Sequence, residues 1–174
     1  MNAAFEIQRL LAPLSTDEDS YLRVRVGGDP QLSPAELLYP VIFDPAFPRG
    51  PYFNIEPPLP STVDELAKIL SPISARAEQI LSFLVYMCTT DVAFGANCGP
   101  WTPSVARPIL LEVMNVLQPG MQWWSNVEYP PEAWEGGDFS DGFSSYPVTG
   151  HTLDCALVGI GHDATVTFLA YGDT

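Results

Sequence analysis

Cys98 sits in Asn97-Cys98-Gly99-Pro100-Trp101, a loop broken by glycine and proline shortly before a helical stretch. His151 follows Gly150 at the opening of a strand, and Asp173 closes the C-terminal hairpin. A thiol, an imidazole and a carboxylate are the groups from which nucleophilic and acid-base chemistry is built. His151, Cys155, His162 and Asp163 form a second grouping, with the donor types of a transition-metal site. Along an extended strand, however, His162 lies roughly seven residues of ~3.3 Å each beyond Cys155, and Cys155 stands in an apolar run that suits a small core residue. Asp138 and Asp141, beside Gly136, Gly137 and Gly142, offer oxygens to calcium but lack the regular ligand spacing of a known loop. No metal and no cofactor is expected. The third grouping is Glu132, Trp134, Glu135, Asp138, Phe139 and Asp141, acids interleaved with aromatics, the composition of a recognition surface for a cationic cleft.

The charge distribution favours that third grouping. The chain has 174 residues with Lys+Arg 7 against Asp+Glu 21, a net charge of −14. Every basic residue lies at or before Arg107, whereas Glu112, Glu128, Glu132, Glu135, Asp138, Asp141, Asp154, Asp163 and Asp173 follow it without a countercharge. At 47% hydrophobic and 16% charged, the composition is that of a folded chain, not an acidic tail. Such a surface is repelled by phosphate backbones and anionic lipid, so no direct nucleic-acid binding and no membrane binding is expected. A basic protein is the electrostatic complement. The N-terminus has no basic leader before an apolar stretch, and the apolar run at residues 83–88 is far short of the ~20 residues a spanning helix requires. A cytoplasmic protein with reduced thiols is the expectation, because three cysteines without a CxxC pair suit neither a disulfide framework nor a zinc ribbon.

The elements that must position these groups read as one α+β domain over 1–174. Residues 3–11 have helical spacing up to Pro13, and Tyr21-Leu22-Arg23-Val24-Arg25-Val26 alternates as a half-buried strand. Residues 38–43 read as a second strand, followed by a proline-dense loop at 44–60. Thr62-Val63-Asp64-Glu65 is a capping box that starts a helix over 62–70, Pro72 suits the first position of a helix over 72–89, and 105–117 is a third helix bent at Pro108. Residues 121–127 form a strand with Trp123 and Trp124 on opposite faces. The 128–150 stretch is long for a structureless loop and therefore a candidate for function. Two apolar runs, 153–160 and 164–171, make a hairpin around Gly161-His162-Asp163. The expected architecture is an antiparallel sheet ending in this hairpin and packed against the three main helices.

Two resemblances bear on function. The order Cys98, His151, Asp173 is similar to that of papain-like cysteine hydrolases. This resemblance implies Cys98 as nucleophile, His151 as general base and Asp173 as the group orienting the imidazole. The sequence departs from that pattern at Pro100, Pro103 and Pro108, which interrupt the helix following the cysteine, and it has no upstream glutamine for an oxyanion hole. The ending, an apolar strand from Thr152 to Ile160, a short turn and a second strand closing on Asp173, resembles the C-termini of small acidic immunity proteins of bacterial toxin systems. That resemblance implies a non-catalytic inhibitor that occludes a basic toxin or nucleic-acid-processing enzyme, with carboxylates standing where phosphates would bind. Glu132, Trp134, Glu135, Asp138, Phe139 and Asp141 are the expected contacts, and the hydrolase is the alternative.

Overall fold

The two apolar runs at the C-terminus form the centre of the molecule because both faces of both strands are buried along nearly their whole length. In the computed structural model, which describes residues 2–15, 21–52 and 54–173, they are β6 (Leu153–Ile160) and β7 (Thr165–Gly172), paired antiparallel from Leu153 with Gly172 to Ile160 with Thr165. β1 (Leu22–Gly27) pairs with β7 on one side; on the other, β3 (Gln122–Ser125) pairs with β6 and carries a two-residue edge strand, β2 (Ser71–Pro72). The sheet order is β1-β7-β6-β3-β2, antiparallel throughout, so the fold is α+β and ends in the expected hairpin.

Strand alternation sends side chains to two cores. Cys155, Leu157, Val166, Phe168 and Ala170 face helices α1 (Ala3–Ser15), α4 (Ala77–Thr89) and α5 (Pro103–Leu117). Ala156, Val158, Leu169 and Tyr171 face α2 (Pro34–Ile42) and α3 (Val63–Ile69). Burial on both faces is why these strands read as nearly continuous apolar runs and not as alternating ones.

Helices therefore cover both sides of the sheet, and two of the sequence expectations give way. Residues 38–43 are not a strand: most of them belong to α2, which Ser33 caps by accepting from the Glu36 N–H while the Glu36 side chain accepts from the Ser33 N–H. That reciprocal cap, with Pro34 in the first turn, favours helix over the strand propensity of the apolar run. The helix expected over 72–89 begins only at Ala77, because Ser71 and Pro72 extend the sheet alongside β3 and the Ile73 N–H donates to the Trp123 carbonyl at 2.9 Å.

β3 also settles the tryptophan pair. Trp123 is 4% exposed, with its ring over Gly159, its cross-strand partner; a Cβ at that glycine would lie 2.5 Å from the ring. Trp124, on the opposite face, is partly exposed. The 128–150 stretch is not structureless: it contains β4 (Val127–Glu128), the one-and-a-half-turn helix α6 (Pro131–Gly136) and β5 (Ser144–Ser145), which pairs with β4. Among the described residues no helix is long and apolar enough to cross a membrane.

Candidate functional site

The acidic segment is built on an aromatic block. Phe139 is 1% exposed, and its ring lies 5.0 Å from Phe83, 5.2 Å from Tyr129 and 5.2 Å from Trp134, centroid to centroid. The Tyr129 hydroxyl donates to the Phe139 carbonyl at 2.9 Å, tying the turn after α6 back to β4. Phe139 was expected to contact a partner; the structure places it in the core beneath the acids. Aromatic rings that meet edge to face favour burial against one another over exposure. Trp134 is half-buried, packed at 81° against Phe83 with the remainder of its ring at the surface.

Glu132, Glu135, Asp138 and Asp141 are all exposed. Among the described residues the ion pairs are Arg9 with Glu6, Arg76 with Glu78, His151 with Asp173 and His162 with Asp163, so none of these four acids has an ion-pair partner there. Asp138 accepts from the Ser140 hydroxyl at 2.6 Å and from the Ser140 N–H at 3.0 Å, which hold its carboxyl below the usual range. It stays charged while closing a turn, in the manner of a local aspartate cap. The result is a set of uncompensated carboxylates on a short helix and turn whose underside is locked into the core.

The other sequence-predicted group is partly assembled. His151 and Asp173 meet, with Nδ1 2.9 Å from the Asp173 carboxylate, and the Thr152 N–H donates to the second carboxylate oxygen at 2.9 Å. Burial pushes the Asp173 carboxyl up, but the bonds from His151 and Thr152 outweigh it and hold the group below its ordinary value. The Nε2 of His151 lies 2.8 Å from the Pro48 carbonyl. The imidazole side chain is only 6% exposed, tilted at 37° against the Tyr171 ring and met edge-on by Phe47.

Both ring nitrogens are thus engaged, one by the Asp173 carboxylate and the other by the Pro48 carbonyl. A base role for His151 toward any thiol requires one of these two contacts to be released first. Cys98 itself is half-buried in the loop after α4, its N–H donating to the Thr89 carbonyl, four residues before Thr102, which caps α5. The thiol therefore does not sit on the first turn of a helix. What His151 does in this structure is fasten the proline-rich loop: the Tyr52 N–H reaches the Gly150 carbonyl at 2.7 Å, and Gly50 approaches the Gly150 backbone so closely that a Cβ would meet it at 2.4 Å.

Sequence reasoning missed a buried polar knot beside the site. Asp154, 3% exposed, accepts from the Asn126 amide at 2.8 Å, the Val148 N–H at 3.0 Å, and the Thr149 N–H and hydroxyl at 2.9 and 2.7 Å. Asn126, between β3 and β4, also donates to the Tyr146 carbonyl and accepts from the Ala156 N–H. One legible signal was an aspartate inside an otherwise apolar central strand, a placement that demands partners. Among the described residues no group of three or more His, Cys, Asp and Glu side chains could hold a metal ion, and His162 projects from the exposed hairpin turn. Comparison with protein-family models, with curated proteins and with solved structures finds no match for this chain.

Proposed function

We propose that the chain is a non-catalytic, immunity-type inhibitor that binds a basic toxin or nucleic-acid-processing enzyme inside the producing cell and covers its cationic cleft with the α6 segment. The observation that carries this reading is the set of exposed acids at Glu132, Glu135, Asp138 and Asp141, without ion-pair partners among the described residues, on a backbone held by the Phe83, Tyr129 and Phe139 rings. Preorganised like charges lose little freedom on binding, and they steer an oppositely charged partner into encounter.

The test is affinity capture of the tagged chain from its native cells at low and high salt, beside the triple variant Glu132→Lys, Glu135→Lys, Asp141→Lys. Asp138 is left intact because it closes the turn through Ser140. The expected result is a stoichiometric basic protein that high salt releases. Once that protein is purified, the variant is expected to associate on the order of tenfold more slowly or worse. Each exposed substitution should change folding stability by no more than about 0.5 kcal/mol. Recovery of the chain alone at both salts, or equal association by the variant, overturns the reading.

One observation favours the hydrolase alternative, the His151 to Asp173 bond at 2.9 Å. Alkylation rates separate the two. Burial pushes the Cys155 thiol up to about 12, helped by the Asp154 charge, and pushes the Cys88 thiol higher still, so both should be inert to iodoacetamide in the folded chain. Under the inhibitor reading Cys98 reacts at neutral pH no faster than N-acetylcysteine. A rate on the order of tenfold above that reference is the mark of an activated nucleophile and would shift the assignment to the hydrolase.

A further inference from the structure

Beside the acidic segment, the surface between β2 and α6 is concave. The hollow holds about 460 Å³, within the ~300–1,000 Å³ range of ligand-sized sites, and Ile73, Gln79, Glu128, Tyr129, Trp134 and Glu135 are among the residues that line it. Among the described residues its only charged lining groups are Glu128 and Glu135, both exposed and neither in an ion pair there. Arg76, a base close by in sequence, does not line the hollow and is bound to Glu78 at 3.1 Å. Trp134 and Tyr129 supply aromatic wall, and both rings are braced from behind by Phe83.

Two acids and a tryptophan in one concavity are the parts of a cation receptor, in which the ring quadrupole and the carboxylates attract the same charge. A planar guanidinium suits it better than an ammonium, because it can stack on the indole while donating to carboxylate oxygens at its edge. The sheet edge along this hollow gives a strand-adding peptide little to bind: Pro72 has no N–H to donate, so recognition must run through side chains.

We propose that this hollow receives an arginine side chain of the basic partner protein, seated over Trp134 between Glu128 and Glu135. The inference rests on the reading of the chain as a binder of a basic protein, and it assigns the part of that partner which docks here. It also adds Glu128, Tyr129 and Gln79 to the contact surface, none of which is among the six contacts expected from the sequence.

The test uses the full chain and N-acetylarginine amide as the probe, followed by the indole N–H resonance of Trp134 in nitrogen-proton correlation spectra. Two variants remove the same net charge in different places: Glu128→Gln with Glu135→Gln in the hollow, and Glu132→Gln with Asp141→Gln outside it. The expected result is a saturable Trp134 shift whose dissociation constant rises at least about fivefold in the first pair and stays within about twofold in the second, since local contacts outweigh screened distant charge. N-acetyllysine amide should bind more weakly than the arginine probe. Equal weakening by both pairs, or a Trp134 resonance unmoved by the probe, overturns the proposal. The two failures are distinguishable: a still Trp134 beside a salt-released partner removes the hollow and leaves the inhibitor, whereas a responsive Trp134 with no partner removes the inhibitor and leaves a guanidinium site.

Discussion

Replacing Phe139 with alanine is expected to lower folding stability by about 3–5 kcal/mol, the range for deleting a large aromatic from a filled core. The ring is 1% exposed and meets Phe83, Tyr86, Tyr129 and Trp134, so its removal leaves a cavity that several rigid neighbours cannot close at once. Urea unfolding followed by tryptophan fluorescence measures the loss. Phe139→Leu, which keeps much of the volume, should lose distinctly less. A loss below about 1 kcal/mol for the alanine variant would put the ring outside the core and return it to the surface as a contact residue. The distinction matters for binding: a Phe139→Ala variant that binds poorly does so because α6 and its carboxylates have lost their support, and adding a stabilising osmolyte should restore part of the affinity.

A loss of similar size, about 3–5 kcal/mol, is expected from Asp154→Ala, because removing this one buried acceptor strands several neutral donors at once. The Val148 and Thr149 N–H groups and the Thr149 hydroxyl would each lose the acceptor they now have, while Asn126 keeps the Tyr146 carbonyl. An unsatisfied buried donor costs about 1–3 kcal/mol, offset in part by no longer burying a charge. Amide exchange at Val148 and Thr149 should accelerate along with the fall in urea midpoint; an unfolding free energy within about 0.5 kcal/mol of the parent's would show that water replaces the carboxylate without penalty.

Asp154→Asn separates charge from shape. Burial pushes the Asp154 carboxyl above its ordinary value although the Thr149, Val148 and Asn126 donors pull the other way. Its contribution to stability is therefore complete below the ordinary carboxylate value of about 3.9 and declines as pH rises through the raised native value. Asp173 has the opposite sign: held low, it contributes fully above that ordinary value, and its contribution is lost as pH falls through the lowered one. In Asp154→Asn the decline on the higher-pH side should vanish while the acid loss due to Asp173 remains. A parent and variant with parallel profiles would remove Asp154 from the pH response.

What was legible in the sequence was what short stretches of chain decide among themselves. Thr62 and Glu65 announced α3, because a cap is satisfied within one turn. The β6–β7 hairpin was readable from two apolar runs and a polar turn, and so was the absence of bases after Arg107. At the start of α2 the cap formed by Ser33 and Glu36 is equally local, and it outweighs the strand propensity of the apolar run that follows.

Other features had no local signature. Pro72 is an allowed first residue of a helix, and only the neighbouring edge of β3 draws it into the sheet. Phe139 and Trp134 belong to one acidic, aromatic stretch of sequence, yet one ring is buried and the other half-exposed, because Phe83 arrives from a helix more than fifty residues earlier and fixes which fits beneath. His151 and Asp173 could be paired by their order along the chain, but the Pro48 carbonyl that takes the second ring nitrogen comes from 103 residues away. The amino-acid sequence by itself determined the helix caps, the hairpin and the sign of the surface; the tertiary structure alone decided which rings are core and which polar groups meet, because burial and long-range hydrogen bonds are properties of distant segments brought together.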